Sequence, residues 1–418
     1  MSCRAGMAYA EADSPLDTLN PHCGRPPAEA DAAIAAVLTA LRKHLGLDVG
    51  FISEFLPDRR RIRFVTADAT QTVVCPGMEI PLSEGYCQRI VDGRLPELMA
   101  DTSLVPEATA IEFTASVPVG VHLGVPIRLA SGELYGTLCC FGPMPRSDLR
   151  PRDVEVMRAF AEILAGQLSA GRAVEIIRNR DRAVIEGALA GQAPNLVFQP
   201  IVDLLSGRAL GLEGLSRFAL PPVRPPDHWF AAAEAVGLGV ELELSAVRNA
   251  IALFARIPEA LYLSLNCSPA LIRSGHLAAA LAGTPLSRVV LEVTEHSMVD
   301  DFEQLQQALA PMRAVGVRLA MDDAGAGFSS LQHLMQLRPE LIKLDLTLAR
   351  VVDRDPTTRA LVAALVTFAN ETGSQVVAEG VEDLRAARAY QELGVHGGQG
   401  YYFAHPLPIE EARRGLAQ

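Results

Sequence analysis

The chain has 418 residues, which at about 150 residues per domain allows two or three domains with cores of their own. Its hydrophobic fraction of 49% and charged fraction of 21% are ordinary for globular proteins and exclude a collagen-like or mostly disordered chain. With 37 Lys and Arg against 49 Asp and Glu, the net charge is −12, so the chain lacks the basic surface of a duplex-binding protein and we expect no nucleic-acid partner.

The cysteines and the apolar segments indicate the compartment. Seven cysteines are scattered along the chain without a Cys-x-x-Cys pair, which argues against a zinc or thioredoxin-like site and favours reduced thiols in the cytoplasm. The first residues carry acidic side chains where a signal peptide needs an apolar segment. The longest apolar run, 360–369, is too short to span a bilayer, so we expect no membrane segment.

Residues 1–27 lack hydrophobic periodicity, which predicts a disordered tail, and residues 28–170 then alternate helix and strand patterns. A helical stripe comes first, and two β-rich runs follow around Pro57–Asp58. A short helix capped by Ser83 comes next, and two more β-rich runs flank Ser131–Gly132. With a closing helix, this order predicts an α+β domain in which helices flank a sheet.

Two motifs in this segment, YCQRIVDG (86–93) and VPIRLASGELYGTLCCF (125–141), resemble those of GAF domains. The resemblance implies a sensory domain with a pocket for a small molecule or chromophore, and the sequence does not identify that ligand. Cys87, Cys139 and Cys140 are either contacts to such a ligand or, as buried cysteines usually are, small hydrophobic core residues.

Apolar residues three or four apart predict helices over 152–191, with a break at Ala170–Gly171. Two interpretations remain open. In one, two ordinary helices form, and the second, 171–191, links the domains. In the other, a signalling helix pairs with its counterpart in a homodimer.

Residues 195–408 contain eight short apolar β-like runs that alternate with helix patterns. The runs are LVFQPIVD, ALGLEGL, LYLSLN, VVLEVTE, VRLAMDD, LIKLD, QVVAEG and GGQGYYF. Repeated strand and helix units predict either an open parallel sheet or a β/α barrel.

Polar side chains lie within or at the C-terminal ends of most of these predicted strands. They are Glu213, Asn266, Glu292, Asp322, Asp323, Lys343, Glu379 and Gln399. In a barrel these ends meet at one face, the face that carries active sites. Carboxylates held together need cations to stay ionised, and oxygen ligands without His or Cys favour Mg²⁺, Mn²⁺ or Ca²⁺ over Zn²⁺. One such carboxylate is often only a helix cap, but this many at successive strand ends predict a shared metal site.

The same segment resembles the EAL family of cyclic di-GMP phosphodiesterases along its whole length. The matching motifs are FQPIVD (198–203), LEGLSRF (212–218), LNCSP (265–269), LEVTE (291–295), MDDAGAGFSSL (321–331), IKLD (342–345), VVAEGVE (376–382) and GQGYYFAHPLP (398–408). The resemblance implies a modified eight-stranded β/α barrel with one antiparallel strand, assigned to residues 192–418. It also implies hydrolysis of cyclic di-GMP to linear pGpG.

The resemblance carries the family's roles onto individual residues. It implies that two Mg²⁺ or Mn²⁺ ions, bridged by Asp322, are held by Glu213, Asn266, Glu292, Asp322, Asp323 and Glu379. It implies catalytic roles for Lys343, Glu295 and Gln399. Of these, Lys343 would orient or deprotonate the attacking water, and burial would depress the pKa of its amine enough for that role. Alternatively, Lys343 pairs with a phosphate. Glu295 anchors a mobile loop at 324–330, and Gln399 holds the water. Substrate contacts are implied for Gln199, Arg217, Asn266, Asp323, Lys343 and Glu379, with Arg217 on a phosphate and Gln199 on a guanine edge.

Three positions depart from the family's pattern. Gly214 replaces an alanine, FAHP (403–406) replaces the commoner FGRP, and Ala324 stands where the family usually has phenylalanine, which predicts a looser loop. Because no implied metal ligand is replaced, we expect an active phosphodiesterase that is regulated by the GAF domain.

The alternative function is a catalytically retired EAL scaffold that binds cyclic di-GMP or a protein as an effector. A light or redox sensor with a merely structural output is a further alternative, but no His or Cys placement in 28–170 supports a chromophore.

Overall fold

The computed structural model describes residues 29–67, 74–111, 117–294, 302–324 and 330–416, so the predicted tail 1–27 lies outside the described residues. The chain divides into two compact units, Met1–Ile176 and Ile177–Gln418. No helix in the described ranges combines the length and the apolar character that crossing a bilayer requires.

The first unit contains a six-stranded antiparallel sheet with strand order β3-β2-β1-β6-β5-β4. Its strands are β1 (Val49–Phe55), β2 (Arg59–Ala67), β3 (Glu79–Pro81), β4 (Leu98–Met99), β5 (Val121–Arg128) and β6 (Leu134–Gly142). Its helices are α1 (Glu29–Leu45), α2 (Tyr86–Val91), α3 (Pro106–Thr109) and the first part of α4 (Pro151–Ala190), with a 3-10 turn at Thr102–Leu104. The predicted α+β order of helices and hairpins is confirmed.

Hydrophobic residues cover both faces of this sheet, as the alternation along β6 shows. Leu138 and Cys140 pack in one cluster with residues of α1 and α4. Cys139 and Phe141 point to the other face, where they pack with residues of α2. Successive side chains of a strand point to opposite faces, so the two neighbouring cysteines lie in different halves of the core.

Two predicted helix boundaries in this region are wrong. α2 begins at Tyr86, and its N-cap is Gly85 rather than Ser83. Gly85 has a φ of 100°, a conformation open to glycine but strained for serine, and this sets where the helix begins. α4 is continuous over 40 residues through the expected break at Ala170–Gly171. A glycine inside a helix costs about 1 kcal/mol relative to alanine, which is too little to end a helix that is packed near both ends.

The second unit contains a closed eight-stranded barrel in which β7 to β14 follow one another in chain order. The strands are β7 (Asn195–Asp203), β8 (Ala209–Arg217), β9 (Tyr262–Asn266), β10 (Val289–Thr294), β11 (Arg318–Ala324), β12 (Leu341–Leu344), β13 (Gln375–Ala378) and β14 (Gly397–Gly398). β7 is antiparallel to both of its neighbours, β8 and β14, and all the other pairs are parallel. The barrel with one antiparallel strand is therefore confirmed, and the open sheet is excluded.

Helices surround this barrel. They are α5 (Pro226–Ala235), α6 (Gly239–Ala252), α7 (Pro269–Arg273), α8 (His276–Ala280), α9 (Phe302–Ala314), α10 (Ser330–Leu337), α11 (Leu346–Ala349), α12 (Pro356–Thr372), α13 (Leu384–Glu392) and α14 (Ile409–Leu416), with 3-10 turns at Phe254–Arg256 and Leu286–Arg288. The last turns of α4 belong to the same unit, since Ile185 and Ala188 pack against Trp229 and Leu242.

Candidate active site

The interior of the barrel is apolar in one layer and polar in the next. One layer is a cluster of six buried residues contributed by six strands, namely Ile201, Tyr262, Val290, Ala320, Leu341 and Val377. Residues two apart on a strand share a face, so the next inward layer contains Gln199, Ser264, Glu292, Asp322, Lys343 and Glu379. On the five strands other than antiparallel β7, this polar layer lies toward the C-terminal end, the end at which barrels of this class carry their active sites.

Lys343 on β12 lies at the centre of the polar layer and is 1% exposed. Its Nζ is 2.7 Å from Glu292 Oε2 and 2.5 Å from Glu379 Oε1. The same nitrogen is 3.5 Å from Glu213 Oε2 and 3.6 Å from Asp322 Oδ1. Carboxylates from four different strands or strand ends therefore surround a single ammonium group.

Amide side chains fix the carboxylate of Glu213. Asn266 donates through Nδ2 to Glu213 Oε1 at 2.9 Å, and Gln399 donates through Nε2 to Glu213 Oε2 at 2.6 Å. Gln399 Nε2 also lies 3.0 Å from Gln199 Oε1, and Gln199 donates in turn to the carbonyl of Ala404 at 3.0 Å. This chain of hydrogen bonds links β7, β8, β9 and the segment after β14.

Asp322 and Asp323 contribute neighbouring carboxylates to one cluster, although adjacent residues of a regular strand point to opposite faces. The alternation is interrupted here because Asp323 has a φ of 58° and the pairing of β11 with β12 shifts register between Met321 and Ala324. As a result, ligand oxygens of Asp322, Asp323 and Glu379 all lie within 4.8 Å of one another. Oxygen-only donors at this spacing fit a hard divalent cation such as Mg²⁺ or Mn²⁺.

The electrostatics of the cluster also favour a cation. Burial, followed by the charge of Glu213, raises the pKa of Glu292 well above its ordinary value. Burial raises the pKa of Glu379 to about 8. Burial opposes the charged form of Lys343, but the carboxylates, led by Glu213, outweigh it, and the pKa of this amine lies well above its ordinary value. The shift is opposite to the one expected from burial alone. Four carboxyl groups around one ammonium, with that of Asp323 beside two of them, leave a negative excess that divalent cations would offset.

A cleft of about 520 Å³ opens beside this cluster and is lined by Asn266, Glu292, Arg217 and the apolar ring of Phe230, among others. Arg217, at the end of β8, is exposed, and its Nη1 donates to the carbonyl of Ser216 at 2.8 Å. The volume lies within the range of small-molecule sites, and a guanidinium on the wall suits an anionic group.

The structure brings nine of the predicted site residues into contact or into one cluster: Gln199, Glu213, Asn266, Glu292, Asp322, Asp323, Lys343, Glu379 and Gln399. Arg217 borders the adjacent cleft. Glu295 and positions 325–329 of the predicted mobile loop lie outside the described residues.

Sequence reasoning missed Ser264, which lies between Tyr262 and Asn266 on the inward face of β9. Its Oγ donates to Glu292 Oε1 at 2.5 Å, so this hydroxyl holds the oxygen of Glu292 that does not face Lys343. The available signal was the spacing of two residues between Ser264 and Asn266, which places both on one face of the strand.

The comparison with known families identifies both units. The EAL domain family matches residues 182–406, more than half of the chain. The chain belongs to the EAL domain family. The GAF domain family matches residues 29–168, ahead of the EAL domain. The motif-based predictions of both families are confirmed.

Individual relatives of this EAL protein cover it to different extents. An uncharacterized protein of Mycobacterium tuberculosis is 30% identical over 328 residues, which are 73% of this chain and 49% of that protein. The cyclic di-GMP phosphodiesterase RocR of Pseudomonas aeruginosa is 30% identical over 274 residues, 63% of this chain and 64% of that protein. The solved PaMucR phosphodiesterase in complex with c-di-GMP matches with a TM-score of 0.50 and 26% identity, over 56% of this chain and 99% of that chain. The chain spans about half the length of several curated relatives that it matches.

Proposed function

We propose that this EAL protein hydrolyses cyclic di-GMP to linear pGpG with two bound Mg²⁺ or Mn²⁺ ions, and that its GAF domain regulates the reaction. The observation that carries the proposal is the convergence of four carboxylates on Lys343 in the barrel, with Asp323 clustered beside Asp322 and Glu379 and with Asn266 and Gln399 bonded to Glu213. The names of the relatives supply the substrate, since RocR is named a cyclic di-GMP phosphodiesterase and PaMucR was solved with c-di-GMP.

The proposed metal ligands are Glu213, Asn266, Glu292, Asp322, Asp323 and Glu379. They supply oxygen donors without a thiol or imidazole, which fits Mg²⁺ and Mn²⁺. When bound, such ions lower the pKa of a water and offset charge on the phosphodiester. The residues themselves orient one another, because Asn266, Gln399 and Ser264 each donate a hydrogen bond to one of the ligating carboxylates.

Lys343 is the proposed group that orients and deprotonates the attacking water. The chain has 37 basic residues, and only Lys43 and Lys343 are lysines. A lysine can release its proton when the surrounding negative charge is compensated, whereas an arginine remains charged in proteins. A buried lysine in a chain that otherwise uses arginine therefore suits proton transfer better than simple charge pairing. Gln399 is proposed to hold this water together with Lys343. Glu295 is proposed to anchor the loop at 324–330.

The proposed substrate contacts are Gln199, Arg217, Asn266, Asp323, Lys343 and Glu379. Arg217 lines the cleft beside the cluster and offers a planar fork to a phosphate. Gln199 uses one N–H toward Ala404 and one oxygen lone pair toward Gln399, which leaves a second N–H and a second lone pair of its amide for a guanine edge.

The proposed domains are a tail at 1–27, the GAF domain at 28–170, a helical linker at 171–191 and the EAL domain at 192–418. None of the five described cysteines forms a disulfide, in keeping with a cytoplasmic protein. We propose a homodimer as the working assembly, because Val174, Ile176 and Ile177 leave a large part of their apolar surface exposed on α4.

The function is tested with the purified chain, cyclic di-GMP and either MgCl₂ or MnCl₂, by chromatography of the products. Linear pGpG that forms with metal and not with EDTA supports the proposal. Tight binding of cyclic di-GMP without any product would contradict it and would favour the effector function.

A further inference from the structure

A second buried polar cluster lies in the first unit, on the sheet face that α2 covers. Cys87 of α2 and Cys139 of β6 are both fully buried, and their sulfur atoms are 3.9 Å apart. Arg60 of β2 is 4% exposed, and its Nη1 lies 2.5 Å from Cys87 Sγ. Two hydroxyl groups complete the cluster, with Ser53 Oγ 3.8 Å from Cys87 Sγ and Thr137 Oγ1 3.4 Å from Cys139 Sγ.

The charge of Arg60 is the feature that ordinary packing leaves unexplained. Within the described part of the chain, no carboxylate forms an ion pair with this guanidinium, and its Nε has no hydrogen-bond partner. An arginine keeps its charge in proteins, and a buried charge without a counter-charge is strongly unfavourable. A thiolate at Cys87 supplies the missing negative charge at the place where the guanidinium already makes contact.

The environments of the three buried cysteines in this unit differ accordingly. Burial opposes ionisation of Cys87, but the hydrogen bond from Cys139 and the charge of Arg60 outweigh it, so the pKa of Cys87 lies well below its ordinary value. Burial and then the neighbouring Cys87 raise the pKa of Cys139 well above its ordinary value. Burial raises the pKa of Cys140, on the opposite face of β6, to about 12. The contacting pair thus combines a cysteine whose surroundings favour the thiolate with one whose surroundings favour the thiol.

We propose that Cys87 and Cys139 form a dithiol site that reacts with small hydroperoxides. The Cys87 thiolate attacks a peroxide oxygen, an S–O bond forms, the O–O bond breaks, and the leaving oxygen takes up a proton as water or an alcohol. The Cys139 sulfur then attacks the resulting sulfenic acid, an S–S bond forms, the S–O bond breaks, and hydroxide leaves with the thiol proton as water. The two cysteines lose two electrons in total, and the peroxide gains them.

A small cavity gives the oxidant a place beside Arg60, the residue that contacts Cys87. It measures about 20 Å³ and is lined by Arg60, Tyr86 and His122 together with apolar side chains. Such a volume holds about one or two water-sized groups, so hydrogen peroxide fits and a bulky organic hydroperoxide does not. Both ring nitrogens of His122, which is 1% exposed, lack hydrogen-bond partners and are available to a polar guest.

The disulfide would change this unit of the protein. The sulfur atoms must approach from 3.9 Å to about 2.05 Å, which draws α2 and β6 together. Oxidation also removes the thiolate, so Arg60 loses its counter-charge at the wall of the cavity. We therefore expect oxidation to change the packing of α2 and of the residues next to it against the sheet.

The test is a thiol map of the full-length chain after treatment with hydrogen peroxide. In a Cys75→Ser, Cys140→Ser background, trypsin places Cys87 in peptide 64–89 and Cys139 in peptide 129–146. We expect these peptides to become cross-linked with the loss of two hydrogens, and to separate again after reduction. Cumene hydroperoxide at the same concentration should oxidise the pair at least about tenfold more slowly, because it does not fit the cavity.

Variants separate the roles of the two cysteines. Cys139→Ser should stop the reaction at the sulfenic acid, which dimedone traps on Cys87. Arg60→Gln should slow oxidation of Cys87 by about tenfold or more, since one pKa unit removes that much thiolate at neutral pH. Cys140→Ser alone should still allow the cross-link. Unchanged, freely alkylated Cys87 and Cys139 in the peroxide-treated chain would overturn the proposal even if every variant failed to fold. In the wild-type chain, oxidation confined to Cys75 would overturn it as well.

Discussion

Asp322 is the residue on which the proposed two-metal site most depends. It lies at the end of β11, its Oδ1 is 3.6 Å from Lys343 Nζ, and its carboxylate joins those of Asp323 and Glu379 within 4.8 Å. A carboxylate that bridges two cations neutralises part of the charge of both. Asparagine has nearly the same shape as aspartate, so an asparagine at position 322 keeps the packing and removes the negative charge.

We therefore predict that Asp322→Asn abolishes hydrolysis of cyclic di-GMP while the fold is retained. Activity is measured by product chromatography, and folding by circular dichroism and thermal unfolding. Glu371→Gln, which makes the matching change on the exposed side of α12, serves as the control and should retain full activity. Near-normal turnover by Asp322→Asn would show that Asp322 does not hold the metals.

Substitution of Lys343 separates substrate binding from the catalytic step. Lys343→Ala should lower kcat by about 100-fold or more with little change in KM, because a group that moves a proton acts mainly in the transition state. Lys43, the only other lysine of the chain, is exposed on α1, so the control variant Lys43→Ala should behave as the wild type. An increased KM with an intact kcat would instead identify Lys343 as a phosphate clamp.

Residue identity at the site was largely predictable from the sequence, whereas residue geometry was not. Glu213, Glu292 and Lys343 were identifiable because each occupies a recognisable β-like run. The neighbouring pair Asp322 and Asp323 shares one site only because of the positive φ at Asp323, which no periodicity indicates. Ser264 was missed because its spacing of two residues from Asn266 gives the face of the strand but not the hydrogen bond to Glu292.

At the scale of elements, α4 is the helix whose sequence pattern and observed length disagree. Its pattern weakens near Gly171, which suggested two helices, yet the structure has one. Apolar residues are buried near both of its ends, Leu164 in the first unit and Ile185 in the second. Residues 173–180 between them are exposed, so packing at the ends holds the helix while its middle contributes no core contacts. Local propensity cannot reveal such distant packing.

This packing predicts different costs for two isoleucines on the same helix. Ile185→Ala should lower the free energy of unfolding of the EAL domain by about 2–4 kcal/mol, since Ile185 is fully buried against Trp229. At concentrations where the chain is monomeric, Ile177→Ala should change it by less than about 0.5 kcal/mol, because Ile177 is 60% exposed within one chain. Trp229 is the only tryptophan, so urea unfolding followed by its fluorescence reports on this domain. Equal effects of the two substitutions would contradict the packing described for α4.

At the scale of the whole molecule, the question is how a GAF domain would influence a barrel that has its own core. The second compact unit begins at Ile177 and contains the buried end of α4, so a fragment of residues 178–418 keeps that packing. The proposed route is a shift of α4 that changes how two chains associate, and with it the closure of the loop at 324–330. A loop with a small free-energy difference between open and closed states responds to a modest signal.

We predict that the full-length chain is a dimer and that it hydrolyses cyclic di-GMP at a different rate from the 178–418 fragment. Analytical ultracentrifugation gives the assembly state, and kcat of both proteins at several concentrations gives the regulation. Ile177→Glu should weaken the dimer if the exposed apolar residues of α4 lie at its interface. A monomeric full-length chain with the same activity as the fragment would leave the GAF domain without a regulatory role.

The central claim is that the acidic cluster of the barrel performs metal-dependent hydrolysis of cyclic di-GMP. The most direct measurement is to incubate the full-length chain with cyclic di-GMP in MgCl₂ or MnCl₂, with EDTA and with the Asp322→Asn variant as parallel samples, and to resolve the nucleotides by ion-exchange chromatography. The account predicts linear pGpG in the metal samples of the wild type and intact cyclic di-GMP in the others. Cyclic di-GMP that binds the wild-type chain yet remains intact with either metal would contradict it.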